Sequence, residues 1–340
     1  MRLLQAMAGA RHGGAEAFFV RLAGALQRAG EEQRVLIRRD PDRAATLRRA
    51  GIEPVELPFR GVLDIATRRR FRRAVAEFRP RVVLTWMNRA TQLCPRGDFV
   101  HVARLGGYYD LKYYGRCDHL IGNTRDIVGY LVRQGWPEER AHYLPNFTAG
   151  ARAAPAARGS LDTPPDAPLA LTLGRLHVNK GFDVLLAALA QVPRLHLWLA
   201  GEGELAAALQ RQAAALGIAP RVRFLGWRED ISALLAAADF LVCPSRHEPL
   251  GNVVIEAWAA GVPVVATASE GPGALIAEGE SGLLVPVDDA HALARAMIRL
   301  ADDRGLRTRL ASAGRATYEA EYSEARVVGL YRDFFARVAR

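Results

Sequence analysis

Lysine is almost missing from this chain. Of 46 basic residues only Lys112 and Lys180 are lysines, so arginine carries the positive charge and each lysine position is informative. Cysteine is nearly as scarce. Cys94, Cys117 and Cys243 lie far apart without C-x-x-C spacing, which argues against a thiolate metal cluster or a disulfide framework and fits a reducing compartment. Long hydrophobic runs are lacking too: none reaches the roughly 18 uncharged residues of a membrane span, and the best, 231–243, is broken by Asp239. The opening run Met1–Met7 is too short for a signal peptide. The expected location is the cytoplasm.

What is present is globular in composition: 340 residues, 50% hydrophobic and 24% charged, enough for two domains. The net charge of +10 is one-sided, because residues 1–148 hold 26 Lys+Arg against 15 Asp+Glu while the remainder hold 20 against 21. Its densest part is Arg68-Arg69-Arg70-Phe71-Arg72-Arg73, in a helical pattern running to about Phe78. Such a field attracts an anionic partner, either an acidic acceptor or the inner face of the cytoplasmic membrane. Nucleic acid is not expected, since no aromatic-plus-basic surface motif accompanies the cluster. Tyr108, Tyr109, Tyr113 and Tyr114 beside Lys112 can stack on acceptor sugars or pack in a core.

Both halves alternate short apolar strands with longer helical segments, the pattern of parallel sheets with crossover helices. Strands are predicted at 3–7, 35–37, 81–86, 99–102 and 119–122, then at 170–173, 196–200, 222–225, 240–243 and 264–267. Helices are predicted at 15–28, 182–190, 205–216, 231–237, 253–260, 291–300 and 324–338. Residues 149–168 are rich in alanine and proline and read as a linker. The expected fold is therefore α/β: two Rossmann-like, doubly wound parallel-sheet domains facing across a cleft. Residues 1–148 with 324–340 form one, 169–323 the other.

Two motifs of the second half carry chemistry. Gly174-Arg175-Leu176-His177-Val178-Asn179-Lys180-Gly181 follows a strand and opens a helix, where free N–H groups favour phosphate. The Arg175 fork can grip two oxygens, and Lys180 adds a mobile point charge. In the second motif Glu248 sits on a loop and Glu256, eight residues on, one turn into the next helix. The two carboxylates can border one crevice and accept hydrogen bonds from sugar hydroxyls. Gly251 permits close backbone approach, and the amides of Gly251, Asn252 and Val253 can face an oxygen ligand.

The segment Glu248-Pro249-Leu250-Gly251-Asn252-Val253-Val254-Ile255-Glu256 resembles the E-x7-E motif of retaining GT-B glycosyltransferases of family 4, the group containing bacterial lipopolysaccharide and polysaccharide glycosyltransferases. The likeness extends to Gly261–Thr267, Gly282–Val285, Gly174-Arg175-Leu176 with Lys180-Gly181, Gly201-Glu202-Gly203, and an N-terminal Gly13-Gly14-Ala15-Glu16. The resemblance implies a GT-B fold and a UDP- or GDP-linked sugar donor, with Arg175 and Lys180 on the diphosphate. It further implies Glu256 on the ribose and Glu248 on the transferred sugar. Leu250, Gly251, Asn252, Val253 and Gly203 would line the donor site, with Gly13 and Gly14 approaching from the other domain. His101 falls where the family often has a histidine near the reacting carbon. The usual P-N-G-x-D is here Pro145-Asn146-Phe147-Thr148, a departure that bears on the hinge. No D-x-D motif is read at a strand end to hold a divalent ion, and Asp288-Asp289 is read as a helix cap, so metal-independent transfer with retained configuration is expected. The departing phosphate would serve as base. Two rivals are weighed. A sugar-nucleotide epimerase or phosphorylase shares the fold; an NAD-dependent oxidoreductase would use Gly201-Glu202-Gly203-Glu204-Leu205-Ala206 as G-x-G-x-x-A, although this follows the domain's second strand rather than its first.

Overall fold

A computed structural model describes residues 1–11, 13–61, 63–148, 150 and 153–339. The chain divides into two compact units, Met1–Phe147 with Glu324–Arg340, and Thr148–Ser323.

Unit 1 is built on seven parallel strands: β1 (Arg2–Met7), β2 (Glu32–Arg38), β3 (Val55–Leu57), β4 (Val82–Trp86), β5 (Val100–Leu105), β6 (His119–Gly122) and β7 (Ala141–Tyr143). Their order is β3-β2-β1-β4-β5-β6-β7. Helices α1 (Gly14–Arg28), α2 (Pro41–Arg49), α3 (Ile65–Phe78), α4 (Met87–Leu93) and α5 (Arg125–Arg133) connect them. All five residues of β4 are buried, as expected for a parallel strand covered on both faces.

Unit 2 holds six parallel strands: β8 (Leu169–Leu173), β9 (His196–Ala200), β10 (Val222–Gly226), β11 (Phe240–Cys243), β12 (Val264–Thr267) and β13 (Leu283–Val285). The order is β10-β9-β8-β11-β12-β13. Its helices are α6 (Phe182–Leu189), α7 (Ala206–Ala215), α8 (Ile231–Ala237), α9 (Asn252–Ala260), α10 (Glu270–Leu275), α11 (Ala290–Asp302) and α12 (Arg304–Thr317). The chain then returns to unit 1 through α13 (Glu324–Val338). The apolar stripe Val327, Val328, Tyr331, Phe334 and Phe335 is buried in the same cluster as Leu3, Phe18, Phe19 and Val82.

Helix starts obey local chemistry. Asp40, Asp64, Thr124, Asp289 and Asp303 each accept a hydrogen bond from the backbone N–H three residues on. Asp289 thus caps α11 as the sequence suggests. Most predicted strands and helices lie within a residue or two of those observed; the sequence pattern does not mark α2, β3, α4, α5, β7, α10, β13 and α12. The described residues of 149–168 belong to unit 2. Arg158 donates to the carbonyls of Ala237, Pro165 and Ala167, and Thr163 accepts from the Trp198 indole at 2.9 Å. Small residues and proline do not form a core here, but one arginine and one threonine bind them to it.

Candidate active site

In each sheet the strand order reverses once, and ligands of such sheets bind beyond the carboxyl ends of the strands on either side of the reversal. In unit 2 those strands are β8 and β11. β8 ends at Leu173, just before Gly174–Gly181, and β11 ends at Cys243, just before the loop to Gly251. The two motifs singled out in the sequence therefore occupy the two lips of one switch point.

Backbone contacts zip these lips together. The amides of Arg246 and His247 donate to the Asn179 carbonyl at 2.8 and 3.1 Å. Gly181 sits at φ 62°, and a Cβ there would lie 2.2 Å from the Pro244 carbonyl oxygen, so glycine is required by both conformation and space. The result is direct contact between side chains 68 residues apart: Lys180 Nζ donates to Glu248 Oε2. The pair is largely enclosed, with side-chain exposures of 24% and 12%. The second Glu248 oxygen accepts from the Gly251 amide at 3.3 Å. Gly251, left-handed at φ 80°, is the N-cap of α9, and Glu256 lies one turn inside that helix, half-buried. Leu250 is buried, while Asn252 and Val253 form the half-buried first positions of α9.

Arg175 stands apart from this pair. Its side chain is 70% exposed and meets Glu204 at 3.5 Å rather than Glu248. The segment carrying it rests on the loop after β9. The Leu176 amide donates to the Glu202 carbonyl at 2.9 Å and the Leu205 amide to the Leu176 carbonyl at 3.2 Å. A Cβ on Gly201 would fall 1.9 Å from the Gly174 oxygen, and one on Gly203 2.4 Å from the Leu176 oxygen. The Gly-x-Gly pair thus exists so that two backbones can cross. Gly203 thereby props the Arg175 loop.

Sequence reasoning missed the residues that brace the lips. Arg246 forks onto both Asp183 oxygens at 2.8 and 2.6 Å and reaches Asp288 at 2.6 Å. The hydrogen bond to Asp183 pushes its guanidinium above the ordinary arginine value. His247 Nδ1 lies 2.6 Å from Glu270 Oε1, whose other oxygen accepts from the Glu248 amide at 3.2 Å. Charged residues flanking the E-x7-E segment were the available signal. Cys243, at the end of β11, is buried and its thiol is pushed up to about 11 by that burial and by the Glu248 charge, so it is not a nucleophile at neutral pH.

In unit 1 the reversal lies between β1 and β4, and Gly13-Gly14 follows β1. Gly13 is extended, at φ 168°, and a Cβ on it would lie 2.2 Å from a Glu16 carboxylate oxygen. The other Glu16 oxygen accepts from the Ala10 amide at 2.8 Å. A side chain at 13 would have to displace the carboxylate of the buried Glu16 beneath the loop. Met87, at the matching end of β4, holds a left-handed φ of 70°, a strained conformation of the kind that gathers at functional sites.

His101 requires correction. It is the second residue of β5, at the amino end of the sheet, some four residues or roughly 13 Å of strand from the end where ligands bind. It is buried, with Nε2 3.0 Å from Thr85 Oγ1, and burial lowers its imidazole to about 4. It is a neutral core histidine, not a group near the reacting carbon. Its folded pKa lies below the ordinary value of 6.5, so the unfolded chain takes up the proton first. Unit 1 should lose stability as pH falls from about 6.5 towards 4. His101→Gln is expected to flatten that loss in acid melts and to leave transfer within a few-fold of wild type; a drop beyond a hundredfold with an intact fold would restore the catalytic assignment.

Other details refine the sequence reading. Tyr114 is buried and donates to Asn88, and Lys112 pairs with Asp110 at 2.7 Å. In the departing motif, Asn146 accepts from the buried Arg104, and the Phe147 ring lies 5.3 Å from Phe18, so the change adds a core aromatic. A D-x-D spacing does occur at Asp40-Pro41-Asp42, past β2, but Asp40 caps α2 and Asp42 pairs with Arg11 at 3.0 Å. Among the described residues no group of three or more His, Cys, Asp or Glu is arranged to hold a metal ion, and no helix is long and apolar enough to cross a membrane. The three cysteines are free and buried.

Comparison with known proteins agrees with this geometry. A family profile described as glycosyltransferase family 4 matches residues 12–149, and one described as glycosyl transferases group 1 matches residues 167–303. The lipopolysaccharide core biosynthesis glycosyltransferase LpsE of Rhizobium meliloti is 39% identical over 335 residues, 96% of each chain. LpsD of the same organism is 37% identical, covering 96% of this chain and 95% of its own. Among solved structures, HepE of Anabaena in complex with UDP superposes with a TM-score of 0.88 at 20% identity, covering 99% of this chain and 100% of that one. The last likeness bears on the fold alone. With both sheets, both motifs and full-length relatives in accord, the chain belongs to the family 4 glycosyltransferases of the GT-B fold.

Proposed function

We propose that this enzyme transfers a sugar from a nucleotide diphosphate donor, without a metal and with retention of anomeric configuration, to a glycan or glycolipid acceptor in lipopolysaccharide core synthesis. The observation that carries the reading is the Lys180–Glu248 contact at the β8/β11 switch point, which unites a cation suited to phosphate with a carboxylate suited to sugar hydroxyls. Support for the pathway comes from the named role of LpsE and LpsD, and support for a UDP-linked donor from HepE structures containing UDP and UDP-glucose.

In this reading Arg175 and Lys180 face the diphosphate, with the N-terminus of α9 adding its dipole. Glu256 takes the ribose and Glu248 the transferred sugar, with Leu250, Gly251, Asn252 and Val253 as the pocket wall. As the bond from sugar to phosphate breaks, negative charge grows on the leaving oxygen, and the two cations stabilise it where a metal would otherwise act. The departing phosphate accepts the acceptor hydroxyl proton on the face it has just left, which gives retention. EDTA-treated enzyme should keep more than half its rate, and NMR of the first product should show the donor's anomeric configuration; metal-dependent rescue or an inverted product would overturn the scheme. An epimerase or phosphorylase would consume the donor without a glycan acceptor. The α3 arginines, Arg68, Arg69, Arg70, Arg72 and Arg73, suit a peripheral position on the anionic inner face of the cytoplasmic membrane.

A further inference from the structure

Unit 1 contains a cationic cavity that the donor chemistry does not use. Helix α3, the loop after α4 and the turn before β6 converge on a cavity of about 370 Å³. Arg68 and Arg72 line it from α3, Arg96 from the loop and Arg116 from the turn, with Leu93 and Pro95 as an apolar wall. Among the described residues, none of those lining it is acidic. Some exposed arginines of this unit meet carboxylates: Arg73 with Glu77 at 2.6 Å, Arg48 with Glu53 at 3.0 Å, Arg11 with Asp42 at 3.0 Å. Arg72 and Arg96 form no ion pair among the described residues. Arg116 is held in place by its own donors, which reach the carbonyls of Gln92 at 2.6 Å and Cys94 at 3.1 Å.

Four guanidinium groups around one cavity repel each other, and an anion entering it would turn that repulsion into attraction. The volume falls within the range of about 300–1,000 Å³ typical of small-molecule sites. Planar guanidinium forks match phosphoryl oxygens two at a time, and a phosphomonoester brings about −1.5 to −2 of charge, more than a carboxylate. The apolar wall can cover the group that bears the phosphate. We infer that this cavity is a second anion site, which takes a phosphoryl group on a part of the acceptor remote from the reacting hydroxyl, since Arg96 and Arg116 precede β5 and β6 at the amino end of the sheet. The inference rests on the transferase reading for the identity of that carrier, and on the cavity alone for the chemistry bound.

The test is calorimetric titration of the whole enzyme with inorganic pyrophosphate in the presence of saturating UDP, which keeps the donor site filled. Wild type should show one further site, weakened at least tenfold in Arg72→Gln/Arg96→Gln. The double variant Arg69→Gln/Arg70→Gln removes the same charge from neighbouring exposed positions outside the cavity and should bind as wild type. Equal weakening in both doubles, or no second site in wild type, would overturn the inference. Two competitors then separate the sources: glucose 6-phosphate should displace pyrophosphate, as expected for a soluble sugar-borne group. Displacement only by phosphatidylglycerol vesicles would mark a lipid-facing surface and overturn the acceptor assignment. UDP binding, read in the same cell before pyrophosphate is added, tests the donor reading separately.

Discussion

Replacing Lys180 by alanine is expected to lower kcat/KM for sugar transfer by about 100- to 1,000-fold, the effect of removing one charge-stabilising donor from a preorganised site, about 2.7–4 kcal/mol. The physical cause lies in its placement. Lys180 ends a short 3-10 turn just before the left-handed Gly181, is one-quarter exposed, and already touches Glu248, so its charge does not have to be gathered from solvent when the diphosphate arrives. Lys180→Arg should recover part of the rate, because the charge returns in a bulkier shape. The measurement is steady-state kinetics with a UDP-sugar, paired with a thermal-shift titration by UDP. Alanine should reduce the UDP-induced shift while the ligand-free melting temperature changes by only a few degrees. A variant with normal turnover would remove the diphosphate assignment. Loss of the ligand-free fold would not, since Lys180→Arg then carries the comparison.

Gly201→Ala is expected to give the largest loss of stability in unit 2. The residue sits at φ 150° with the Gly174 carbonyl oxygen only 1.9 Å from where a Cβ would go, and neither backbone can yield without disturbing the pairing at the carboxyl ends of β8 and β9. Backbone strain and overpacking together should cost roughly 2–6 kcal/mol, a large part of a domain's total stability of about 5–15 kcal/mol. For a unit of this size the melting temperature should fall on the order of 10 °C. Gly279→Ala serves as the control, because that glycine is also left-handed, at φ 77°, but has open space around it. Its smaller loss measures backbone strain alone. Equal effects of the two substitutions would show that the crossing of the 174 and 201 loops is not tightly packed.

Much of this was legible before any coordinates. The periodic strands β6, β9, β11 and β12 and the helices α8 and α13 fall where the sequence pattern places them, because each has an apolar run of the right period bounded by polar or glycine punctuation. Helices α2, α5 and α12 carry readable caps, Asp40-Pro41, Thr124 and Asp303, but α2 and α12 are rich in arginine and α5 is only 9 residues long. His101 is misplaced by the sequence because a strand ending at 102 puts it beside the carboxyl end, whereas β5 runs on to Leu105. The segment 149–168 was judged by composition, which cannot foresee that Arg158 would bind four backbone and side-chain oxygens.

The residue types at the two motifs, the absence of a long apolar span, the uneven charge and the alternation of strand and helix are properties of the linear chain; they point to two parallel-sheet domains with a phosphate-binding crevice, and the resemblance of the second motif to family 4 adds the transferase. Which residues meet is decided in three dimensions. Strand order brings β8 beside β11, so Lys180 finds Glu248 while Arg175, five residues earlier, turns to Glu204. The reason is that local propensity and hydrophobic period act over a few residues, whereas contact across a switch point depends on the stacking of whole strands.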